Sequence, residues 1–539
     1  MTEPDGAAAP GADAGTSAGA SRRADVCMLV EGTYPFVSGG VSSWVHDIVQ
    51  GLPEVTFDMV NIASHPGSYG EPRYKLASNV RSLSVLFCRG DDRPAPVRGP
   101  ERAALARRIR AVRRRPADEK PSRTLRGIRR LHLDDLVDDE LIADLGSGDL
   151  DVASFLYGKA SFDLLLEINQ RLAPSTSFLD LFWHFRSMHV PLLRLLSTPP
   201  APASCYHAVS TGYAGLLGAV WSQAQGRPFL VTEHGIYARE REMELSRAEW
   251  IRDDGEDDGL AGWAPAPSAL RLLWSRMFLK LSRIAYHRAA RIVTLSEANR
   301  QREIVDGAPP DKIKIVPNGV RLSPIATAIG AATADPPLAA RNEPAAVTAR
   351  PLRVGFVGRV VPIKDVVTFI KSCDLALRQT ALDVRIIGPV DEDLAYAARC
   401  RRLVEALGRQ DSVRFVGPQP LAQIYGDLDV VVLTSFSEGQ PLVILEAYAA
   451  GLPVIATDVG ACREMVEGRS GEDRQLGTSG VVTRVAVPQD TAAALVRLAS
   501  DVDLRRRLGE IGRQRVSAYY QRGDMLDAYR ALYQQEVTS

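Results

Sequence analysis

The chain predicts an α/β fold of two Rossmann-like domains, each with a doubly wound parallel sheet, and three observations carry that reading. From Arg353 onward, short β-branched runs at 354–357, 384–387, 413–416, 430–434 and 453–456 alternate with helical stretches, the pattern of a parallel sheet covered on both faces. An earlier array opens with a strand over 25–30 and the loop EGTYPFVSGGVSSW, where Ser38-Gly39-Gly40 leads into a helix with apolar positions at Val41, Trp44, Val45, Ile48 and Val49. Between the arrays, residues 322–350 are rich in Ala and Pro, as linkers are. The expected layout is a tail over 1–23, a first domain over 24–325 with a basic insertion at about 95–140, a linker over 326–350, a second domain over 351–515 and a closing helical segment over 516–539.

Composition narrows the function classes. With 539 residues, 45% of them apolar and 24% charged, the chain has material for two or three domains and a sizeable core. Its 65 basic and 65 acidic residues cancel, so no global electrostatic case for nucleic acid arises. Six cysteines, at 27, 88, 205, 373, 400 and 462, include no C-x-x-C pair and read as reduced, buried thiols. No stretch has the length and apolarity of a membrane-spanning helix, and the first twenty or so residues lack the basic start and apolar core of a secretory signal. The chain is expected to act in the cytosol.

Along the first array, the glycine pair Gly39-Gly40 lets backbone amides approach a diphosphate or a sugar, although a plain tight turn gives the same pattern. Residues 98–130 hold thirteen Arg or Lys against three acids, followed by an acidic run at 134–140. Those blocks either meet each other on a solvated insertion or form a docking surface for an anionic membrane face or an acidic partner. Residues 161–196 look helical and apolar. Within them, His184 and His189 are spaced wrongly to share a helix face and bind a metal, so both, with Trp183, read as core or cleft-lining residues. The stretch CYHAVSTGYAGLLGAV reads as a helix with small residues, and a strand over 229–232 then ends just before His234. A His on a loop at the carboxyl end of a strand can hydrogen-bond a reacting group. The acidic loop DDGEDDG at 253–259 has the wrong spacing for calcium.

The stretch SFSEGQPLVILEAYAAGLPVIATD, residues 435–458, organises the second array. It reads as loop, helix and strand, with Pro441 suited to the first helical position and Gly451 ending the helix. Two carboxylates, Glu438 and Glu446, stand eight residues apart. Glu446 is the only charge between Gly439 and Thr457, and a buried carboxylate needs a partner. That partner is either a structural bond or a ligand hydroxyl pair such as a ribose diol. Upstream, Arg359 and Lys364 follow the strand over 354–357 and could offer two cations to a diphosphate. Asp427-Leu428-Asp429 is nominally a D-x-D, but Asp429 stands at the amino end of its strand and reads as structural. No metal site is expected, and no P-loop or serine-hydrolase elbow occurs.

The segment EGQPLVILEAYAAGLPVIATDVG resembles the E-x7-E signature of retaining GT-B glycosyltransferases of family 4. The commoner form has Phe-Gly after Glu-Gly; Gln440-Pro441 here, together with the loop EGTYPFVSGGVSSWVH, resembles the PelF-like branch. That resemblance implies two domains facing across a cleft, with the C-terminal helix crossing back to the first. It implies Glu446 on the nucleotide ribose, Arg359 and Lys364 on the diphosphate, and Glu438 with Gly439, Gln440, Pro441 and Leu442 on the donor sugar. His234 and the Gly39-Gly40 loop would line the acceptor side, and the turn VGPQP after Phe415 would meet the base. The implied reaction moves a hexose from a UDP-sugar, UDP-glucose or a UDP-N-acetylhexosamine, to a hydroxyl acceptor with retention and without a metal or other cofactor. The implied setting is cytosolic exopolysaccharide assembly beside membrane-embedded synthase partners, peripheral to the membrane's inner face. Two alternatives stand beside it: a sugar phosphorylase or synthase on the same fold, and a non-catalytic sugar-nucleotide-binding partner of a synthase complex.

Overall fold

A computed structural model describes residues 23–89, 122–248, 250–251, 268–322 and 350–538. The tail, most of the linker, the DDGEDDG loop and residues 90–121 of the basic stretch lie outside the described residues.

Two all-parallel sheets form the molecule. The first has seven strands, β1 (Ala24–Glu31), β2 (Phe57–Ala63), β3 (Val80–Phe87), β4 (Ala203–Ala208), β5 (Phe229–Glu233), β6 (Arg291–Thr294) and β7 (Ile313–Ile315), in the order β3-β2-β1-β4-β5-β6-β7. The second has β8 (Leu352–Val357), β9 (Leu382–Ile387), β10 (Val413–Gly417), β11 (Val430–Leu433), β12 (Val454–Thr457) and β13 (Gly480–Thr483), in the order β10-β9-β8-β11-β12-β13. In each sheet the order reverses beside the first strand, between β1 and β4 and between β8 and β11, and ligands of doubly wound folds bind at that switch. Helices cover both faces, and the strands carry the apolar cores: Val26, Met28 and Val30 are wholly buried in β1, Val354 and Val384 in β8 and β9.

Four strands depart from the expected pattern. β2 is buried along its length yet contains Asp58 and Asn61, whose polarity hides it in the sequence; Asn61 donates to the Tyr34 carbonyl and Asp58 accepts from Ser82. β3 is an edge strand with alternating exposure. β4 occupies the front of the stretch read as one helix, which starts only at Tyr213. β13 is a four-residue closing strand. The apolar run 161–196 is broken into the helices Lys159–Leu172 and Phe178–Leu196, and Trp183 is an exposed residue rather than a core one. His189 is buried, but its Nε2 meets His132 Nε2 at 2.8 Å rather than His184.

The described end of the basic stretch is not an excursion from the domain. Its helix Arg123–Leu133 buries Leu125, Ile128 and Leu131 in the first core. Its arginines are occupied by acids: Arg123 and Arg126 by Asp144, Arg129 by Glu167 and Arg130 by Asp138.

The final helix, Arg522–Thr538, leaves the second sheet and packs on the first, with Met525, Leu526, Tyr529, Leu532 and Tyr533 among Val26, Met28, Trp44 and Phe57. Tyr533 and Thr232 hydrogen-bond opposite nitrogens of the buried His207, at 2.7 and 2.8 Å. The chain crosses between sheets at two adjoining places, because Val320 bridges Gln521. There Gly319 lies against the Gln521–Arg522 backbone, where a Cβ would overlap it.

One buried ion pair fastens the last turn of the second sheet. Arg515 and Asp473 are both fully buried and 2.6 Å apart. Arg515 also donates to the carbonyls of Val466 and Gly477 and to Ser479 Oγ. Removing one partner leaves the other charge uncompensated, so Asp473→Ala is expected to destabilise the protein by about 3–5 kcal/mol, read as a lowered urea midpoint.

Candidate active site

The loops at the carboxyl ends of β5 and β11 meet. Gly439 lies so close to His234 that a Cβ on it would coincide with the His234 carbonyl oxygen, and Gly235 N lies 3.3 Å from that same position. Only glycine permits such an approach. Behind it, Gly460 takes φ +50° and packs on the Glu438 carbonyl, while Ala461 N donates to the Gly439 carbonyl at 2.8 Å. The two halves of the molecule therefore touch through the backbone at the predicted site.

On the second-domain side, β11 ends at Leu433, and the Thr434 hydroxyl bonds the carbonyls of Lys364 at 3.2 Å and Asp365 at 2.9 Å. Asp365 has φ +46°, a left-handed conformation that strains a non-glycine residue. It is held by capping the helix Val366–Leu377, accepting from Thr368 N. That strained turn carries Lys364 to the end of β11, where its Nζ lies 2.5 Å from Glu438 Oε1. Ser435 Oγ donates to the same oxygen at 2.5 Å. Two partners on Oε1 fix the Glu438 carboxylate.

On the first-domain side, the helix Gly40–Gly51 begins after Gly39 with no side-chain cap, and Cβ atoms at Gly39 and Gly40 would meet nothing within 4 Å. Its first amides are thus unobstructed. Trp44 from this helix packs edge-on against His234, with ring centroids 4.6 Å apart. Burial pushes the His234 imidazole down to about 3, so it is neutral at physiological pH. Its Nε2 and Trp44 Nε1 are buried without a hydrogen-bond partner, and such groups are exceptional in folded proteins. Glu240, on the helix Tyr237–Ser246, rests its carboxylate on Gly235. Burial raises it to about 7, with Glu244 and Glu438 adding to the shift and Arg241 and Lys364 opposing it.

Several predicted residues take other places. The Gln440 side chain is already occupied: its Oε1 accepts from Asn318 N at 2.5 Å and its Nε2 donates to the Leu295 carbonyl at 3.5 Å, so the side-chain amide is consumed in joining the halves. Pro441 is the N-cap rather than the first helical residue; its ψ of 117° is extended and the helix Leu442–Ala449 starts one residue later. Arg359 does not stand as an unpaired cation beside Lys364, because its Nη1 is bound to the exposed Glu392 at 2.6 and 2.8 Å. Asp429 holds Arg350 and Arg353, as a structural residue would. Among the described residues no cation pairs with Glu446: the Tyr425 hydroxyl donates to its Oε2 at 2.5 Å, burial raises its carboxyl, and the Tyr425 bond opposes that rise.

Sequence reasoning missed the supports: Tyr425 and Glu240 lie outside any motif, and Ser435 and Asn318, though inside motifs, give no local sign that they bond Glu438 and Gln440. It also missed Glu464, whose oxygens accept from Glu297 N and Ala298 N at the start of the helix Glu297–Asp306, and Arg247, stacked on Phe436 at 5.0 Å. Next to His234 in the chain is Glu233, which acts electrostatically on Glu303, and both are fully buried. Burial raises both carboxyls above the usual range, with Glu233's charge adding to the rise of Glu303 and Glu240's to that of Glu233, while hydrogen bonds from Tyr286, Tyr237 and Thr211 oppose it at Glu233.

Both halves of the chain resemble known proteins. Residues 24–311 match the family described as Domain of unknown function (DUF3492), and residues 351–501 match Glycosyl transferases group 1. A D-inositol 3-phosphate glycosyltransferase of Nocardia farcinica is 33% identical over 225 residues, 40% of this chain and 46% of that protein. One from Salinispora arenicola is 30% identical over 319 residues, 56% of this chain and 67% of that protein. The chain spans about half the length of the first curated relatives it matches. Among solved structures, Anabaena Alr3699/HepE in complex with UDP and glucose superposes with a TM-score of 0.56 at 14% identity, covering 95% of this chain and 99% of that one. Sucrose-phosphate synthase from Thermosynechococcus elongatus gives 0.55 at 17% identity, covering 94% and 98%. Those likenesses establish the GT-B fold.

Two outcomes are expected from the geometry. Gly439→Ala should cost about 1–3 kcal/mol of the contact between the halves, seen as a larger radius of gyration by small-angle scattering with unchanged far-UV dichroism. A carboxyl whose folded pKa is raised loses stability as pH climbs from the unfolded to the folded value, by about 1.4 kcal/mol per unit. Glu303→Gln should therefore leave stability nearly unchanged at pH 4 and raise it at pH 8, measured by urea unfolding at the two values.

By the match over 24–311, the chain belongs to the DUF3492 family, its first domain joined to a glycosyl transferases group 1 domain within a GT-B fold.

Proposed function

We propose that this chain is a retaining glycosyltransferase that moves a hexose from a UDP-sugar to a hydroxyl acceptor. One observation carries the reading: the backbone contact of Gly439 with His234 sets unsatisfied buried polar atoms of the first domain beside the Lys364–Glu438–Ser435 cluster of the second. A cleft built this way holds a polar ligand whose groups complete the missing bonds. The glycosyltransferase relatives, and the nucleotide and sugar in the Anabaena complex, add to it.

In this reading the nucleotide lies on the second domain, its ribose on Glu446 and its base near Gly417, which takes φ +75° in the turn after β10. Lys364 exchanges its bond to Glu438 for the diphosphate and stabilises the charge that develops as the sugar departs. Glu438, still held by Ser435, then accepts from donor-sugar hydroxyls, with the amides of Gly439 to Leu442 beside it. Gln440 and Pro441 enter only through that backbone, and Arg359 only if it releases Glu392. The Gly40 amide at the start of the helix, next to Gly39, whose backbone is bonded to Tyr74, approaches the phosphate from the other side. Neutral His234 offers a hydrogen bond to the reacting sugar or acceptor, and the departing phosphate takes the acceptor proton. No metal is assigned a role.

A PelF-like part in exopolysaccharide assembly, beside membrane-embedded partners, belongs to the same proposal. It rests on Gln440-Pro441 and the first glycine loop. The described arginines at 123–130 are already paired with acids, so any electrostatic docking would fall to other residues. No described helix is long and apolar enough to cross a membrane.

The test is UDP release from a panel of UDP-, ADP- and GDP-sugars without added metal. Turnover of one UDP-sugar, reduced about 10²-fold or more by Lys364→Ala and by Glu446→Ala in folded protein, is the expected result. Nucleotide binding without turnover would favour a binding partner, and equal turnover by both variants would sink the site assignment.

A further inference from the structure

The Glu446 carboxylate is held from one side only, and what holds it is a hydroxyl. Tyr425 Oη donates to Oε2 at 2.5 Å, and no hydrogen bond or ion pair of Oε1 occurs among the described residues. Glu446 itself is half-buried. Tyr425, by contrast, is 1% exposed and packed with Ile424, Leu428 and Leu445 in the core beneath the helix Leu442–Ala449. It belongs to the short helix Leu421–Gly426, which follows the Gly417 turn at the end of β10.

The last torsion of a glutamate is soft and roughly two-fold, so an unsupported carboxylate turns freely. A phenol fixed in a core removes that freedom at low entropic cost, since it has few torsions of its own. Two vicinal hydroxyls need an acceptor whose two oxygens lie in one definite plane; a carboxylate with one lone pair of Oε2 committed and Oε1 open supplies it. A cationic partner would fix the plane as well, but would draw off the charge that makes the hydroxyl bonds strong. The Tyr425 phenol is pushed well above its ordinary range by burial and by the Glu446 charge, so it remains the donor of the pair.

We infer that Tyr425 is a positioning residue for nucleotide recognition: its hydroxyl orients the Glu446 carboxylate so that the second oxygen and the remaining lone pairs receive the 2′- and 3′-hydroxyls of a ribose. The inference rests on the reading that Glu446 binds the ribose. It assigns to this chain a selection of ribonucleotides over deoxyribonucleotides that depends on a residue touching neither.

The experiment measures the affinities of UDP and 2′-deoxy-UDP for the full chain by titration calorimetry, in wild type and Tyr425→Phe. Phenylalanine keeps the ring volume, and thermal unfolding checks that the variant is folded; Ile424→Val, in the same core, reports the effect of a packing change alone. Wild type is expected to prefer UDP by about tenfold or more, the scale of a lost hydrogen bond to a charged group. In Tyr425→Phe the preference should fall to about threefold or less, through weaker UDP binding with 2′-deoxy-UDP nearly unchanged. An equal loss for both ligands, or an undiminished preference, overturns the inference while leaving the ribose reading in place. A wild type that binds UDP without preference, or binds neither ligand, overturns the ribose reading and the inference with it.

Discussion

The approach of Gly439 to the His234 carbonyl governs everything else at the cleft. Two polypeptide backbones can come that near only if one carries no side chain. Glu438 then stands one residue from first-domain backbone, and Glu240 is close enough to feel Glu438 and Lys364. Three further contacts hold the same closed arrangement: Gln440 with Asn318, Glu464 with the start of Glu297–Asp306, and Arg247 over Phe436. Each joins the halves through a short polar or stacked contact rather than a broad apolar face. Contacts of that kind are exchanged with solvent at small net cost.

Charge in the cleft is arranged in matched pairs. Lys364 is neutralised by Glu438, and Arg359 by Glu392. The Lys364 pair, with side-chain exposures of 20% and 9%, is the one sheltered enough to matter energetically; the Arg359 pair, at 39% and 47%, is screened by water. An anion entering the cleft meets a lysine whose carboxylate partner has a second donor, Ser435, already in place. Losing the lysine therefore does not strand Glu438 without a hydrogen bond. Burial in the neighbouring first-domain shell works the other way: Glu233 and Glu240 are both pushed toward the neutral form, and His234 is kept neutral. The first-domain charge that remains beside this shell is cationic, on Arg241 and Arg247.

Much of this could be read from residues alone where local signals and tertiary packing agree. The strand–loop–helix–strand unit around 430–457 was legible because β-branched runs, a proline and a left-handed glycine all mark the same boundaries. Glu446 stood out as an isolated charge, and its partner was a structural bond of a kind that leaves the ligand reading open. What stayed hidden depends on partners distant in sequence. β2 carries Asp58 and Asn61 because Ser82 and the Tyr34 carbonyl satisfy them, which no window of β2 reveals. Gln440 looked like a donor ligand by its neighbours, yet its amide is used by Asn318, 122 positions away. Arg359 followed the right strand, but whether it faces a phosphate or Glu392 is decided by a loop thirty-three residues on.

The two chain crossings decide how the halves are held. Val320 and Gln521 pair side by side, and Gly319 admits the Gln521–Arg522 backbone where any larger residue would overlap it. Two adjoining strands of backbone resist sliding, since Val320 N and Arg522 N are both bonded across the pair. They resist rotation about their common line far less, because among the described residues no other backbone ladder runs parallel to it between the two sheets. The helix Arg522–Thr538 moves with the first sheet, as its burial against Trp44 and Phe57 requires. Any rotation about that line would change the separation of Gly439 from His234 before it disturbed either core. The same backbone contact that assembles the cleft thus also limits how far it closes, and a glycine at 439 sets that limit.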